Sequence, residues 1–382
     1  MKGDTVVEIS GTCDPRFRRV QEAFEKNFQT LGEKGAAVSL YAGNQCLVDL
    51  WGGVRDASSN TPWTADTLVN VWSTTKGVVA ACMVMAVERG VFDYDDKVAD
   101  YWPEFGAAGK QDVTIAMLLS HQAGLCGFRD AARVEDFYDV EAAAARLAAA
   151  EPFWIPGTQS GYHAITYGVL ASALLRRAEG RTLREFVRTE LHAQCGLDIH
   201  IGLPPGSSAQ RATLSAPENL ESAGIMTDLS EAQVAALANP PLDPLQPNTP
   251  GWQAAEIPAA NGHATARSLA ALYGGLATTG EVNGVKLASP STISRASRIQ
   301  SDRVDAVLST RARWACGFLG NTDGLYGATP SSFGHSGWGG SFAFTDPELG
   351  LGFAYTMNQM GTDLIGDPRN MALIQALYES VD

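Results

Sequence analysis

Strand-like patterns lie at the two ends of this chain and helical patterns lie between them, which restricts how it can fold. Ala36 to Tyr41 and Cys46 to Trp51 alternate as strands about Gly43-Asn44, a pair suited to a tight hairpin turn. Ser341 to Thr345 and Leu351 to Met357 repeat the arrangement around Pro347-Glu348-Leu349-Gly350. Hairpins so far apart in sequence share a sheet only if the two ends of the chain come together.

Asp14 to Gly32 reads as an amphipathic helix, with Phe17, Val20, Phe24, Phe28 and Leu31 three or four apart. Val78 to Arg89 is a helix stopped by Gly90. Thr114 to Ser120, Val134 to Ala150, Ala164 to Glu179, Leu183 to His192, Thr265 to Thr278 and Pro368 to Tyr378 are further helices. Pro204 to Ala260 is rich in proline, glycine and asparagine and reads as loop-rich covering, interrupted by a helical piece at Glu231 to Ala238. The simplest architecture is an α/β (α+β) lobe built from residues 1–76 and 261–382. A mainly helical, loop-rich lobe, 77–260, is inserted into it, and a site is expected at the junction.

At 382 residues, 45% hydrophobic and 18% charged, the chain is long and apolar enough to bury a large core. The formal charge of −14 argues against nucleic acid as a partner, because little basic surface remains to neutralise phosphates. The six cysteines include no C-x-x-C pair, so neither a disulfide scaffold nor a zinc site reads out of their spacing. The histidines at 121, 163, 192, 200, 263 and 335 also lack metal-ligand spacing, and no metal or cofactor is expected. With no apolar signal core and no bilayer-length apolar run, the expected protein is cytoplasmic and makes no membrane contact. Oligomeric state is left open, a homo-oligomer included.

The chemistry centres on Val71-Trp72-Ser73-Thr74-Thr75-Lys76-Gly77, which runs straight into the Val78 helix. Ser73 and Lys76 are three apart, so on a helix their side chains share a face. A serine hydroxyl needs a base to take its proton, and a neutral lysine amine can serve. Placement in the first helical turn and burial both disfavour the charged amine. The competing reading is an ordinary helix start capped by serine.

Two other stretches stand out. Tyr162, in Gly161-Tyr162-His163 ahead of a helix, is either a proton shuttle beside Ser73 and Lys76 or a packed loop tyrosine. Gly334-His335-Ser336-Gly337-Trp338-Gly339-Gly340-Ser341 is either a backbone that approaches a ligand and offers N–H groups to an oxyanion, or a tight turn into an edge strand. His121 reads as a structural hydrogen-bonder at a helix end. No G-x-S-x-G elbow, H-E-x-x-H, P-loop or G-x-G-x-x-G is present.

Taken in order, four segments resemble the serine β-lactamase and penicillin-binding-protein superfamily, and within it the family VIII carboxylesterases. They are Ser73-Thr74-Thr75-Lys76, Thr114 through Leu125, Pro156-Gly157 through Tyr162-His163, and His335-Ser336-Gly337 with Trp338-Gly339-Gly340. The resemblance implies a β-lactamase/DD-peptidase-like fold, an antiparallel sheet flanked by helices with an inserted helical domain. It implies Ser73 as nucleophile, Lys76 as base and Tyr162 as proton relay. It also implies an oxyanion hole from the N–H groups of Ser73 and Trp338, and substrate contacts from His335, Ser336, Gly337 and Trp338.

Two positions depart from the pattern. Alanine 164 stands where the Y-x-N element has asparagine, and His335 where K-T-G has lysine. In lactamases and peptidases those side chains help hold the amide and carboxylate of the substrate. Their loss turns the expectation towards a small-molecule ester, with a short acyl chain, hydrolysed through an acyl-enzyme. Weak β-lactam hydrolysis, peptidase or acyltransferase activity on the same fold, and a non-catalytic binding relative remain the alternatives.

Overall fold

The computed structural model describes residues 7–203, 211–218 and 228–381. Its strands are β1 (Ile9–Cys13), β2 (Gly35–Ala42), β3 (Gln45–Asp56), β4 (Thr61–Pro62), β5 (Val69–Asn70), β6 (Ile199–Ile201), β7 (Gly262–Ala264), β8 (Glu281–Val282), β9 (Val285–Lys286), β10 (Ser301–Val304), β11 (Arg311–Trp314), β12 (Leu319–Gly320), β13 (Phe333–Ser336), β14 (Phe342–Asp346) and β15 (Leu351–Met357). Ten of them form one antiparallel sheet, ordered β1-β3-β2-β15-β14-β13-β12-β11-β10, with β4 beside β3. Both expected hairpins are present. The pairing of β15 with β2, from Leu351 opposite Ala42 to Met357 opposite Ala36, joins the two ends of the chain.

All seven residues of β15 are buried, so this part of the sheet is covered on both faces. The Ala266–Ala277 helix crosses β2, β14 and β15. It lies so close that a Cβ on Gly352 would stand 2.1 Å from the Gly274 nitrogen and 2.5 Å from the Ala270 carbonyl oxygen. Glycine is needed there because two backbones touch. The Arg18–Thr30 and Pro368–Val381 helices pack on each other, with Val20, Phe24, Leu373 and Leu377 buried. A separate sheet, β5-β7-β6, leads into the Ser73 segment.

The Thr74–Glu88 helix is buried on every side from Thr74 to Val87, as a helix apolar all round must be. Gly77 lets it meet the sheet-covering helix, since a Cβ there would fall on the Tyr273 hydroxyl. Trp72, just before Ser73, has φ of 45°. A bulky residue in that region is strained. Asn70 Oδ1 accepts its N–H at 3.2 Å, and its ring lies between Trp252 and Trp338.

Three expectations are revised. The helix expected over Val134 to Ala150 is a 3₁₀ turn, Val134–Phe137, followed by a separate helix, Val140–Ala149. Asp139 divides them by accepting the Ala142 N–H at 3.0 Å, an N-cap in mid-pattern. The helix at Leu183 continues beyond Phe186 as a π-helix, Val187–Gln194. The glycine-rich stretch is neither a bare turn nor an edge: Phe333–Ser336 is an inner strand between β12 and β14. Of the loop-rich region, the described part contains the Glu231–Leu237 helix, while 204–210 and 219–227 lie outside the described residues.

Gly352→Ala is expected to lower the unfolding free energy by about 1–3 kcal/mol through overpacking, seen as a lower urea midpoint. Gly106→Ala, whose new carbon would meet nothing closer than 3.4 Å, is the control and is expected to change stability by less than about 0.5 kcal/mol.

Candidate active site

Ser73 sits at the N-cap of the buried helix and Lys76 in its first turn. The Lys76 Nζ lies 3.0 Å from Ser73 Oγ, 2.7 Å from the Ala164 carbonyl oxygen and 3.0 Å from the Ala259 carbonyl oxygen. Burial pushes the amine well below the usual lysine range, and no carboxylate opposes the shift. A neutral amine has two N–H groups and one lone pair. The two carbonyls take the N–H groups, which turns the lone pair towards the Ser73 hydroxyl.

On the other side, the Tyr162 hydroxyl donates to Ser73 Oγ at 2.6 Å. Burial raises the phenol, so it stays protonated at neutral pH. Ser73 Oγ is therefore held between a base and an acid. Tyr162 is fixed by Asp305, whose Oδ1 accepts its backbone N–H at 2.9 Å, and by Trp314, which stacks on its ring with 7° between planes. The indole N–H of Trp314 donates to Asp305 Oδ2 at 2.8 Å. Neither Asp305 nor Trp314 was legible in the sequence, where each stands alone in a stretch without periodic signal.

The Thr114–Leu125 segment holds the Tyr162 loop in place. His121 Nδ1 accepts the His163 N–H at 3.1 Å, and the His121 carbonyl accepts the Gly161 N–H at 3.0 Å. His163 Nε2 accepts the Leu125 N–H at 3.1 Å. His121 has φ of 61°, the bend that turns the chain back towards that loop.

The glycine-rich stretch reaches the same place. Ser341 Oγ donates to the Val71 carbonyl at 2.8 Å, and its backbone carbonyl accepts the Gly337 N–H at 2.7 Å. Trp338 packs edge-on against Trp72 with ring centroids 5.0 Å apart. Arg369 donates to the Gly339 carbonyl at 2.8 Å and holds Asp367 through two hydrogen bonds. Among the described residues no acceptor takes the N–H of Ser73 or of Trp338. Ser73, Tyr162, Leu308, Trp314, His335, Ser336, Trp338, Leu364 and Ile365 line one small cavity. Gly337 is not among the lining residues; it packs against Val71, whose carbonyl oxygen a Cβ would meet at 2.3 Å.

His335 is buried, and burial holds its imidazole down to about 3, so it is neutral. Its Nδ1 donates to the Ser336 carbonyl at 2.9 Å, which leaves the lone pair on Nε2, an atom with no partner among the described residues. Ser336 Oγ shares a 3.2 Å hydrogen bond with the Tyr326 hydroxyl.

If the neutral Lys76 amine takes the Ser73 proton, kcat/KM for ester hydrolysis is expected to rise with pH through a limb well below the 10.5 of an ordinary lysine and then to level off. Lys76→Ala is expected to lose about 10²–10⁴-fold together with that limb. The sign for stability is the same. The unfolded chain holds the lysine proton up to 10.5 and the folded chain has released it, so this group's contribution to stability increases with pH across that window. A variant with wild-type rate and limb would remove Lys76 from the chemistry.

The β-lactamase family model matches residues 23–376. The chain is 35% identical to the esterase/β-lactamase LipL of Mycobacterium tuberculosis, over 94% of this chain and 84% of that one. It is 28% identical to the esterase EstB of Burkholderia gladioli, over 94% of each. Among solved structures it is similar to a family VIII carboxylesterase, at 43% identity with a TM-score of 0.92, covering 98% of this chain and all of that one. The fold, with its large antiparallel sheet flanked by helices, agrees with these matches, and the chain belongs to the β-lactamase family.

Proposed function

We propose that this protein is a serine carboxylesterase that hydrolyses short-chain esters through an acyl-enzyme. The observation that carries the reading is Ser73 Oγ held between the Lys76 amine at 3.0 Å and the Tyr162 phenol at 2.6 Å. Lys76 takes the Ser73 proton as Oγ attacks the ester carbonyl carbon. The π electrons move to the carbonyl oxygen, which the N–H groups of Ser73 and Trp338 receive. As the intermediate collapses, the C–O bond to the alkoxy group breaks, the phenol of Tyr162 protonates the departing oxygen, and the ammonium of Lys76 restores the phenol. Water then attacks the acyl carbon and gives its proton through Tyr162 to Lys76. The C–Oγ bond breaks, Oγ regains its proton, and the acid leaves.

Short acyl groups suit the cavity, because Leu308, Trp314, Trp338, Leu364 and Ile365 close in around Ser73 and leave only a small, largely apolar space. His335, Ser336, Gly337 and Trp338 are the substrate-facing stretch in this reading. The same proposal keeps residues 1–76 and 261–382 as one lobe and 77–260 as the other. It is supported by Tyr162 coming from the middle of the chain and His335 from its end. No helix among the described residues is long and apolar enough to cross a membrane. A cytoplasmic location is part of the proposal, supported by six free thiols.

The test uses p-nitrophenyl esters of increasing acyl length alongside a chromogenic cephalosporin. The acetyl and butyryl esters are expected to be hydrolysed fastest, the decanoyl ester poorly, and the cephalosporin far more slowly than any short ester. Ser73→Ala is expected to lose at least about 10³-fold. A phosphonate ester is expected to add one phosphonyl group to the wild type, located at Ser73 by peptide mass, and none to the variant. Ester hydrolysis that survives Ser73→Ala sinks the mechanism, and a preference for the cephalosporin sinks the substrate assignment.

A further inference from the structure

His192, Asp198 and His200 show no metal-binding spacing in sequence, yet folding gathers them so that one ligand atom of each lies within 4.8 Å of the other two. Asp198 immediately precedes β6 and His200 lies within it; two apart on extended chain, they project from the same face. His192 arrives from the π-helix Val187–Gln194, with its ring centroid 4.6 Å from that of His200 and its Nδ1 3.8 Å from Asp198 Oδ1. His192 Nδ1, the nitrogen that faces Asp198, donates to the Leu197 carbonyl at 2.9 Å, so the lone pair is on Nε2 and the ring must swing to bring that atom to a shared ion. Anchoring one ring nitrogen on a carbonyl is how metal-binding histidines are commonly oriented. Among the described residues no group hydrogen-bonds to the His200 ring. π-Helical turns are rare and often mark functional positions.

We propose that His192, Asp198 and His200 form a binding site for a divalent transition-metal ion of the zinc class, pinning the π-helix to β6. Two imidazoles and one carboxylate suit such an ion, with water completing a four-coordinate shell. Donors about 2.0–2.2 Å from one ion stand about 3.4 Å apart, so the three groups must close by about 1 Å. The side chains of His192 and Asp198 are partly exposed, and exposed side chains change rotamer readily. The site is outside the cavity that holds Ser73, and within its sheet β6 reaches the Ser73 segment through β7 and β5. Its role is to brace that small sheet, and it does not depend on ester hydrolysis.

Calorimetric titration of the untagged, full-length protein with zinc chloride tests the site. One ion per chain is expected, with a dissociation constant in the micromolar range or below, and His200→Ala and Asp198→Asn are each expected to weaken it by about tenfold or more. Cobalt(II) is expected to give visible absorption bands of four-coordinate intensity in the wild type and not in the variants. Zinc is expected to raise the wild-type melting temperature alone, since only a site in the folded state couples binding to stability. Circular dichroism checks that the variants fold, and the partly exposed Asp198 carries the test if His200→Ala does not. Lack of zinc binding by the wild type at about 100 μM free metal overturns the proposal. So does binding that is unchanged in both variants, with p-nitrophenyl ester hydrolysis read separately throughout.

Discussion

The amine of Lys76 is enclosed in the protein without a carboxylate beside it, and its N–H groups go to the carbonyls of Ala164 and Ala259. Leaving a buried carbonyl without a partner costs about 1–3 kcal/mol. Leaving an ammonium unpaired at the same depth costs several kcal/mol more. The difference decides the protonation state: the amine stays neutral and makes both hydrogen bonds. Those bonds also position the surroundings. Ala164 follows Tyr162 by two residues, so the contact that satisfies the base also docks the loop carrying the acid. Because the contact is to the backbone, alanine at position 164 keeps it.

The opposite wall depends on a second set of buried charges. Arg369 bridges Asp367 and Glu33 and donates to the carbonyls of Gly339 and Gln359. Glu33 also receives the Tyr355 hydroxyl, and burial raises its carboxyl to about 7. The guanidinium fork suits this place, since it can hold a carboxylate on two nitrogens and still reach backbone oxygens. The turn is packed too closely to accept larger residues: a Cβ on Gly340 would come within 2.9 Å of the Arg369 guanidinium. With the Trp72 ring packed on one side and Arg369 holding the Gly339 carbonyl on the other, the Trp338 backbone is fixed from both sides.

The legible parts of the sequence were those where local pattern and tertiary packing agree. The terminal hairpins, the helix at Thr265 and the Ser73 helix all combine a clear period with a cap or a turn residue. The strands β10 to β13 did not. Gly334, His335 and Ser336 have weak strand preference, and what makes them a strand is the partner on each side, with a Cβ on Gly334 excluded 2.2 Å from the Ala343 carbonyl oxygen. Ser73, Lys76 and Tyr162 could be picked out as candidates from motif and order, and the fold brings all three together. Asp305 and Trp314 act on Tyr162 from far along the chain, and nothing local announces such a contact. The same is true of His192, Asp198 and His200, whose grouping depends on a π-helix that no residue spacing encodes.

The residues lining the cleft carry no charge at neutral pH. Burial keeps His335, and Lys76 behind Ser73, neutral; Tyr162 keeps its proton, and the remaining lining groups are Ser73, Ser336 and apolar or indole side chains. A cation in place of His335 would meet a substrate carboxylate, and without it an anionic substrate gives up hydration for no ion pair. The net charge of −14 works in the same direction, repelling anions before they reach the mouth. A neutral ester loses little on entering, because its only strong acceptor is the carbonyl oxygen and two unclaimed N–H groups are available for it. In the proposed function, a preference for esters over anionic lactams would follow from this absence of charge and needs no contact to the alcohol side of the substrate.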